Sequence, residues 1–434
     1  NSNINIDGSN GKIILQGTKN SGLYLSRAVT STGTSIADNV KNMNILIDGT
    51  NTTAIARETQ ESVQGSMDLK VNNTLLQSVE FGPNSQQSSI VNVSYGNVII
   101  ESNAADSIIP INAGAQNAIA TGTTNTMIKN YMPINIGSGA MGMIGIATGG
   151  SFENYADIKN NSSKYLYTYT TPWGTYTSIY GGVGLALTSY VVQNSYGAVD
   201  SIGLNTGNID MNGDYSTAVY NVGLSVTSNN DHITAAGANT IGVYGGGSYA
   251  YVKRNYQDVY SSTKIKTNRL EVIGDNGTAI FSNGGNIELG SFTNGTAAEI
   301  KASGKDTFGF YFTKYSSLLG KLTLTSDVNA SIENGAIAFY YQGTGYTDPA
   351  NISAYLSSIV DTGNGNLNIA TDQNSYMIAV KNAQVNLSDL ANFSAPGITF
   401  NGSGKSKLFQ TSLVMDVDSN IDKNNTTGDK TYRN

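Results

Sequence analysis

Short apolar strands separated by polar turns recur along the chain. In each copy an alternating strand ends in Gly, Asp or Asn, a polar turn follows, and a second short apolar strand closes the unit. The clearest copies span 44–58, 208–221, 270–284, 322–342 and 367–382. Alternation with a period of two residues is typical of β-strands. The pattern therefore predicts strands and turns along most of the chain.

The apolar positions of these strands predict a shared core. The predicted interior residues are Ile45, Ile47, Leu322, Leu324, Leu367 and Ile369. Each strand is too short to be stable alone, so each copy has to cover its apolar face with the next copy. We therefore predict an all-β fold, a right-handed parallel β-helix (solenoid) with loop and short helical insertions, at about 22 to 25 residues per coil. Asn side chains stacked in register would form hydrogen-bonded ladders.

A single elongated β-helix is predicted to span residues 1–434. Five segments break the strand pattern and are predicted to be insertions, near 58–89, 151–201, 244–264, 305–321 and 344–363. The last contains a helical pattern in which Asp348 is the expected N-cap and Pro349 the first helical residue. Apolar residues then follow at helical spacing up to Ile359, and Gly363 is expected to end the helix.

Composition narrows the functional classes. The formal net charge is −7 with only 24 Lys and Arg residues, which argues against nucleic acid as a partner. Cysteine is absent, which excludes thiol chemistry and cysteine metal sites and indicates an exported protein that is stabilised by stacking rather than by disulfides. No cofactor and no metal are expected.

Catalytic motifs are weak. His232 is the only histidine, and no nucleophile motif surrounds it. Residues 137–142 match the glycine pattern of a dinucleotide-binding loop, but the β-like stretch that follows is not the helix such a loop requires. No catalytic residue is assigned from these motifs.

Two groups of carboxylates are the remaining candidates for chemistry. Asp416, Asp418, Asn420 and Asp422 alternate like the start of a calcium loop, but the turn glycine and the terminal Glu of such a loop are missing. Asp210 and Asp214 flank a turn and could serve as a glycosidase pair if the fold brought them to one face. Carboxylates at turns are more often capping groups or solvated.

Aromatic residues cluster in two places. The predicted ligand-binding residues are Tyr165, Tyr167, Tyr169, Trp173, Tyr176 and Tyr180 in the first cluster, and Tyr249, Tyr251 and Tyr256 in the second. Pro172 and Gly174 predict a turn that makes the first cluster a β-hairpin standing off the coils. Tyr and Trp combine a large contact area with a polar tip, which suits protein or sugar recognition. Packing beneath their own loops is the alternative explanation.

Several strand–turn units carry a family resemblance. The stretches NGDYSTAVYN, GDNGTAIFSNGG and NSYMIAVKNAQVNL resemble passengers of large type V monomeric-barrel autotransporters, of the fusobacterial outer-membrane kind. The resemblance covers most of residues 200–400 and is patchier before them. It implies a cell-surface virulence factor, an exported passenger whose link to the outer membrane is a C-terminal β-barrel that this sequence lacks.

Three functional hypotheses follow. The first is a monomeric adhesin that binds a host-cell or partner-bacterium receptor, protein or glycan, through loops on a β-helical rod, without enzymatic activity. The second is a β-helical carbohydrate-processing enzyme with a carboxylate pair, and the third is a structural spacer. A groove with converging carboxylates would favour the enzyme, a protruding aromatic patch the adhesin, and a smooth surface the spacer.

Overall fold

A computed structural model describes residues 4–8, 11–27, 35–41, 44–59, 66–72, 79–81, 85, 88–93, 96–101, 109–111, 118–122, 126–137, 139–145, 150–161, 164–172, 174–188, 201–252, 255–342, 351–381, 394–402, 413–416 and 431–433. Over these residues the protein is all-β, with 41 strands and a single short helix. Most strands pair in parallel, as predicted for copies that stack on one another.

The strands of the first half are β1 Asn5–Asp7, β2 Lys12–Thr18, β3 Ser21–Arg27, β4 Ser35–Lys41, β5 Asn44–Thr50, β6 Thr53–Thr59, β7 Ser66–Asn72, β8 Val79–Phe81, β9 Ser89–Val93, β10 Gly96–Glu101, β11 Ile109–Ile111, β12 Ala118–Gly122, β13 Thr126–Asn130, β14 Ile134–Ile136, β15 Met141–Gly145, β16 Ser151–Asn154, β17 Ile158–Asn160, β18 Tyr165–Thr171, β19 Gly174–Tyr180, β20 Val183–Leu187, β21 Ile202–Asn205, β22 Ile209–Met211, β23 Thr217–Asn221 and β24 Ser225–Ala236.

The remaining elements are β25 Ile241–Val252, β26 Asn255–Tyr260, β27 Ser262–Ile273, β28 Thr278–Asn283, β29 Asn286–Gly290, β30 Ala298–Ser303, β31 Phe308–Tyr315, β32 Leu318–Leu319, β33 Leu322–Leu324, β34 Val328–Glu333, β35 Ile337–Gln342, α1 Ile352–Ile359, β36 Val360–Asp361, β37 Leu367–Thr371, β38 Tyr376–Lys381, β39 Ile398–Gly402, β40 Leu413–Asp416 and β41 Thr431–Arg433.

The chain divides into two compact units. The first comprises Asn1–Asn229 with Tyr249–Val259, and the second comprises Asn230–Ser248 with Tyr260–Asn434. The single elongated solenoid over 1–434 stays a prediction.

In the first unit the strands follow one another in a three-strand rotation. The first strands of successive rounds, β1, β4, β7, β10, β13, β16 and β21, pair in parallel in that order. The second strands form the series β2–β5–β8 and β11–β14–β17–β22. The third strands form the series β3–β6–β9–β12–β15–β20–β23. Each strand therefore bonds to its counterpart one round later.

The second unit has the same three-strand order. The long strand β27 forms both the first and the second strand of its round. Its first half pairs with β29 and its second half pairs with β30. From there β29–β33–β36 and β30–β34–β37–β39 continue the two series. The third series is β25–β28–β31–β35–β38–β40.

The parallel register stacks apolar residues into columns, and the predicted interior is confirmed. All six predicted core residues are at most 1% exposed: Ile45, Ile47, Leu322, Leu324, Leu367 and Ile369. In the second unit Leu270, Ile300, Ala330 and Ile369 follow one another in register, and all are buried. Phe310 and Phe339 stack in the neighbouring series with ring centroids 5.1 Å apart. Each coil thus covers the apolar face of the next.

A buried asparagine ladder joins successive coils of the first unit. The Asn130 amide donates to Asn154 Oδ1 at 2.8 Å, Asn154 donates to Asn205 Oδ1 at 2.7 Å, and Asn205 donates to Ser228 Oγ at 2.9 Å. Each Asn amide also donates to the carbonyl two residues ahead in its own turn. The three asparagines are almost completely buried. The predicted ladder is confirmed, and it satisfies polar groups that would otherwise be costly to bury.

The spacing of the ladder residues in the sequence also gives the number of residues per coil. Asn130 and Asn154 are 24 residues apart, and Asn205 and Ser228 are 23 apart, close to the predicted coil length. Asn154 and Asn205 are 51 apart, because this round also contains β18 and β19. Other rounds are longer than predicted: bonds between neighbouring rounds span 34 residues at Asp38 and 36 at Ser88 in the first unit. They span 30 residues at Thr307 and 39 at Asp327 in the second unit.

Left-handed residues form stacked turns in the second unit. Asn239, Asn276, Asp306 and Asn334 have φ values of 57°, 58°, 55° and 59°. Asn and Asp tolerate this backbone region better than most residues, which explains their place in the sequence pattern. The turns are bonded to one another, since Asn239 N–H donates to Asp275 O and Asn276 N–H to Lys305 O.

The helix begins later than the sequence predicted. Its N-cap is Asn351, whose Oδ1 accepts a hydrogen bond from Ala354 N–H at 2.9 Å, rather than Asp348. Asp348 and Pro349 lie outside the described residues. The predicted apolar face is confirmed, with Ile352, Leu356 and Ile359 buried. The helix leads directly into β36, so it ends before Gly363.

Several predicted insertions contain strands of the parallel series. β16, β17 and β20 lie within 151–201, β31 lies within 305–321, and β7 lies within 58–89. In β31 the alternation is hidden, because Phe308 and Tyr311 are partly exposed while Phe310 and Phe312 of the same strand are buried. An apolar residue at an outward position hides the period of two on which the prediction depended.

Replacing Leu324 by Asn should destabilise the second unit by several kcal/mol, because it removes buried apolar volume and buries an amide without a designed partner. The urea midpoint of the purified protein measures the effect. The matched control is Thr323→Asn, the neighbouring outward position, which should shift the midpoint little. Equal shifts in the two variants would mean that the strand register is wrong.

Replacing Asn154 by Ala should cost about 2 to 4 kcal/mol, since two buried partners lose a hydrogen bond while the backbone ladder remains. Asn368→Ala is the control, because Asn368 donates to Asn329 Oδ1 in a partly exposed ladder and should cost clearly less. Thermal unfolding followed by circular dichroism compares the two. An Asn154 variant as stable as the Asn368 variant would contradict a stabilising role for the buried ladder.

Candidate recognition surfaces

A β-hairpin leaves the parallel series between β17 and β20. Strands β18 and β19 pair only with each other in the described chain and are antiparallel, from Tyr165 opposite Tyr180 to Thr171 opposite Gly174. The hairpin predicted from Pro172 and Gly174 is confirmed. It is an insertion between the second and third strands of one coil, and the coils on either side still pair directly.

One face of this hairpin is exposed and regular. Thr168 and Thr177 share a hydrogen bond of 3.0 Å across the strands, and Thr170 and Thr175 share one of 3.2 Å. Leu166 and Ile179 form the next pair, and they are 53% and 45% exposed. An exposed aliphatic pair on a two-stranded sheet is unusual for a segment that is only structural, because such a sheet gains little from burial.

The base of the hairpin is held against the coil. Lys164 Nζ lies 5.2 Å from the centre of the Tyr215 ring, in a cation–π contact. After the hairpin, Gly181 passes so close to the backbone of Tyr215 that a Cβ atom there would collide with the Tyr215 carbonyl oxygen. The contact fixes where the hairpin leaves the coil.

The predicted binding residues are described at the backbone only. Tyr165, Tyr167 and Tyr169 occupy alternate positions of β18, and Tyr176 and Tyr180 lie opposite Tyr169 and Tyr165. Trp173 lies outside the described residues. Tyr249 and Tyr251 belong to β25 and Tyr256 to β26, which pairs with β25, and their side chains also lie outside the description.

An aromatic column lies on the third strand series of the second unit. It consists of Tyr244, Phe281, Phe308, Tyr311 and Tyr340, all partly exposed. Consecutive centroids are 5.1 Å apart for Tyr244–Phe281, 4.9 Å for Phe281–Tyr311 and 4.7 Å for Tyr311–Tyr340. Burial raises the pKa of Tyr311. The column arises because the register places one outward aromatic residue of each coil above the next.

Polar groups and the helix border the aromatic column. Asn283 donates to the Tyr244 hydroxyl at 3.3 Å, and Thr313 donates to Asn283 Oδ1 at 3.0 Å. At the other side, the hydroxyl of Tyr355 in α1 donates to Tyr340 O at 2.8 Å, and burial is the main cause that raises its pKa. Stacked rings with amide and hydroxyl neighbours can contact a sugar or a peptide.

A stacked tyrosine pair lies on the first unit. The rings of Tyr131 and Tyr155 are nearly parallel with centroids 4.7 Å apart, and both are substantially exposed. The Tyr155 hydroxyl donates to Glu153 Oε2 at 2.6 Å, and Lys129 Nζ lies 2.9 Å from the same oxygen. The hydrogen bond to Glu153 is the main cause that raises the pKa of Tyr155 to about 12.

The sequence contained a signal for this pair that our reasoning missed. The stretches Asn130–Tyr131 and Asn154–Tyr155 are each followed, after two further residues, by a buried Ile. The repeated Asn-Tyr-x-x-Ile motif marks the ladder asparagine and the tyrosine beside it. The aromatic column left a weaker trace, because its register partners are 29 to 37 residues apart in sequence and only the register shows that they are neighbours.

The turn carboxylates serve as structural acceptors. Asp157 accepts from Asn208 N–H, Asp275 from Lys305 N–H and Asp327 from Asn366 N–H, each at 2.8 to 2.9 Å and each one coil away. Asp372 accepts from Asn334 N–H and Asn374 N–H, both at 2.9 Å. Burial raises the pKa of Asp372, but these bonds and those of Ser375 outweigh it and hold the pKa below its ordinary value.

The structure also locates the other residues that the sequence offered as catalytic or cofactor-binding candidates. Asp210 lies on β22 in register with Lys159, and Asp214 lies in the following turn. His232 lies on β24 with Nδ1 3.5 Å from Asp231 Oδ2, while Asn268 donates to the other oxygen of Asp231 at 2.9 Å. Residues 141–145 form a strand after the glycine motif, as the sequence indicated, so it does not open a helix.

The described residues contain neither a cluster of metal-binding side chains nor a helix that could span a membrane. Among the described residues, no three His, Asp or Glu side chains come together as a metal site. Asp416 lies on β40, whereas Asp418, Asn420 and Asp422 lie outside the description. No helix in the described ranges has the length and apolarity needed to span a bilayer. No protein-family model matches this chain, and neither does any curated protein or solved structure.

Asp372 should contribute an acid-sensitive part of the stability. Because its folded pKa is lowered, its contribution is complete above the unfolded pKa of about 3.9 and is lost as the pH falls through the folded pKa. Asp372→Asn should therefore lose less stability on acidification than the parent protein. Urea midpoints measured from neutral pH down to acid pH test this. Asp306→Asn makes the same change of charge in an exposed turn, and an identical acid response in both variants would contradict the role of Asp372.

Proposed function

We propose that this chain is an adhesin passenger of a bacterial cell surface, built as a right-handed parallel β-helix. It binds a host-cell or partner-bacterium receptor, protein or glycan, through segments inserted between its coils. The observation that carries the proposal is the β18–β19 hairpin, an antiparallel sheet of its own with an exposed aliphatic pair.

The strand order supports the β-helix. Strands recur in a three-strand rotation, and each pairs in parallel with its counterpart in the next round. Connections between parallel strands of one sheet are right-handed in about 98% of cases, which favours the right-handed form. The fold agrees with the resemblance to autotransporter passengers, in which such coils display binding loops.

The hairpin supports binding rather than a spacer role. A spacer needs no insertion, and the 51-residue interval between Asn154 and Asn205 is about twice the neighbouring intervals of 24 and 23 residues. The hairpin region carries the only Trp of the chain together with five Tyr residues. Aromatic residues in an inserted hairpin provide the large, rigid contact area that is characteristic of recognition surfaces.

The carboxylates support binding over carbohydrate processing. A glycosidase needs two carboxyl groups that converge on one substrate bond with the second free to act as base or nucleophile. Asp157, Asp275 and Asp327 accept backbone hydrogen bonds from the neighbouring coil, which makes these three structural. The enzyme alternative then depends on Asp210 and Asp214. We therefore place the adhesin first and keep the enzyme as the alternative that a glycan-degradation assay would detect.

Replacing Trp173 by Ala should weaken binding by about tenfold or more, because exposed aromatic anchors typically contribute about 2 kcal/mol or more to an interface. The purified chain, carrying a fluorescent label, is titrated onto cultured host epithelial cells and onto intact partner bacteria, with and without glycosidase treatment. Thermal unfolding should stay unchanged, since the hairpin lies outside the stacked sheets.

Phe292→Ala is the matched control. Phe292 is an exposed aromatic residue of the second unit, 49% accessible and outside the hairpin, and its loss should leave binding intact. The proposal fails if the Trp173 variant binds normally, or if it unfolds at a lower temperature and the folded fraction binds like the parent. Equal losses in both variants would indicate non-specific adhesion through exposed rings.

A further inference from the structure

An exposed turn follows β29 in the second unit. Residues 292–296 are all exposed, and Gly295 has a φ of 79° with open space around the position of a Cβ atom. The turn is closed by Thr296, which donates to Thr293 O from its backbone N–H at 3.3 Å and from its hydroxyl at 2.8 Å. The pair at its tip is Asn294–Gly295.

An Asn–Gly pair can convert itself chemically. The backbone nitrogen of the glycine attacks Cγ of the Asn side chain, a C–N bond forms, and the Cγ–Nδ2 bond breaks to release ammonia. Water then opens the resulting succinimide to Asp or isoaspartate, so that one water is consumed and one ammonia is released. The reaction needs a glycine N–H that is exposed to base and a backbone that can rotate, which is why hydrogen bonding of that N–H slows it.

The structure separates the Asn–Gly pairs of this chain, which the sequence cannot do. Four pairs have a bonded glycine nitrogen: Gly11 N–H donates to Gly8 O at 2.5 Å, Gly277 N–H to Thr307 Oγ1 at 3.2 Å, Gly335 N–H to Ser375 Oγ at 3.2 Å, and Gly365 N–H to Thr362 O at 2.7 Å. In three others the glycine is constrained by burial or strand pairing, at Gly213, Gly284 and Gly402.

The Asn294–Gly295 pair differs from these pairs in the hydrogen bonding of its glycine N–H, in its exposure and in its position outside the strands. The glycine N–H has no hydrogen-bond acceptor among the residues that the structure describes, both residues are exposed, and neither belongs to a strand. The flanks of the turn are anchored, since Thr293 N–H donates to Asn268 Oδ1 at 2.9 Å, but this bond does not involve Asn294 or Gly295. These conditions together favour ring closure at this pair over the other pairs.

We propose that Asn294 is a self-modification site, at which the folded protein deamidates selectively to aspartate and isoaspartate. The product carries one new negative charge at an exposed tip beside Phe292. Isoaspartate also lengthens the backbone by one carbon, which disrupts the bond from Thr296 N–H to Thr293 O. The deamidated turn therefore differs from the original Asn294 turn in both charge and shape. The fraction of modified molecules increases with the time since synthesis.

The test is incubation of the folded protein at mildly alkaline pH, followed by digestion and mass spectrometry of every Asn–Gly peptide. Asn294 should react about fivefold faster than Asn276, Asn334 and Asn364, because their glycine N–H must first lose a hydrogen bond of about 1 kcal/mol. In urea, where all the pairs are unfolded, the rates should become similar. Asn294→Gln should abolish the early acidic species seen by isoelectric focusing.

A reciprocal variant tests the cause. Thr307→Val removes the acceptor of Gly277 N–H and should accelerate deamidation at Asn276 while the Asn294 rate stays constant. If this variant fails to fold, the ranking in the parent protein decides by itself. Reaction at Asn276 or Asn334 as fast as at Asn294 in the folded parent would overturn the proposal, as would an Asn294 rate that remains low in the folded state and rises in urea.

Discussion

The parallel register between a strand and its counterpart one coil later is the constraint on which the rest of the structure depends. A strand of three to seven residues cannot satisfy its backbone or cover its apolar face alone. Once the backbone is bonded to the next coil, every residue has a neighbour at the same position above and below it. Apolar columns, the buried asparagine ladder, the stacked left-handed turns and the aromatic column are all consequences of this repetition.

Part of this architecture could be predicted because it is local. The alternation around Leu324 and Ile369 indicated both the strands and their buried side, and Pro172 with Gly174 indicated the hairpin. The coil length could be predicted only for the rounds at Asn130 and Asn205. The N-cap at Asn351 was missed because Asp348 followed by Pro349 offered an equally good local signal, and only the docked helix distinguishes the two.

What could not be predicted depends on distant pairing. The longer coils of both units and the aromatic column depend on the register, since Phe281 and Tyr311 become neighbours only when β28 pairs with β31. The turn carboxylates suggested a catalytic role because the sequence does not show that several of them accept a hydrogen bond from a backbone N–H of the next coil. Hydrogen-bond partners one coil away are the information that a linear pattern lacks.

The bond between Asn154 and Asn205 has a further consequence. These side chains meet as closely as those of Asn130 and Asn154 do, although twice as much sequence lies between them. The stacking of the coils at this corner is therefore unaffected by the segment that is inserted between Asn154 and Asn205. Such a scaffold can exchange an inserted segment without redesigning its core, so the displayed sequence can diversify quickly while the framework that carries it changes slowly.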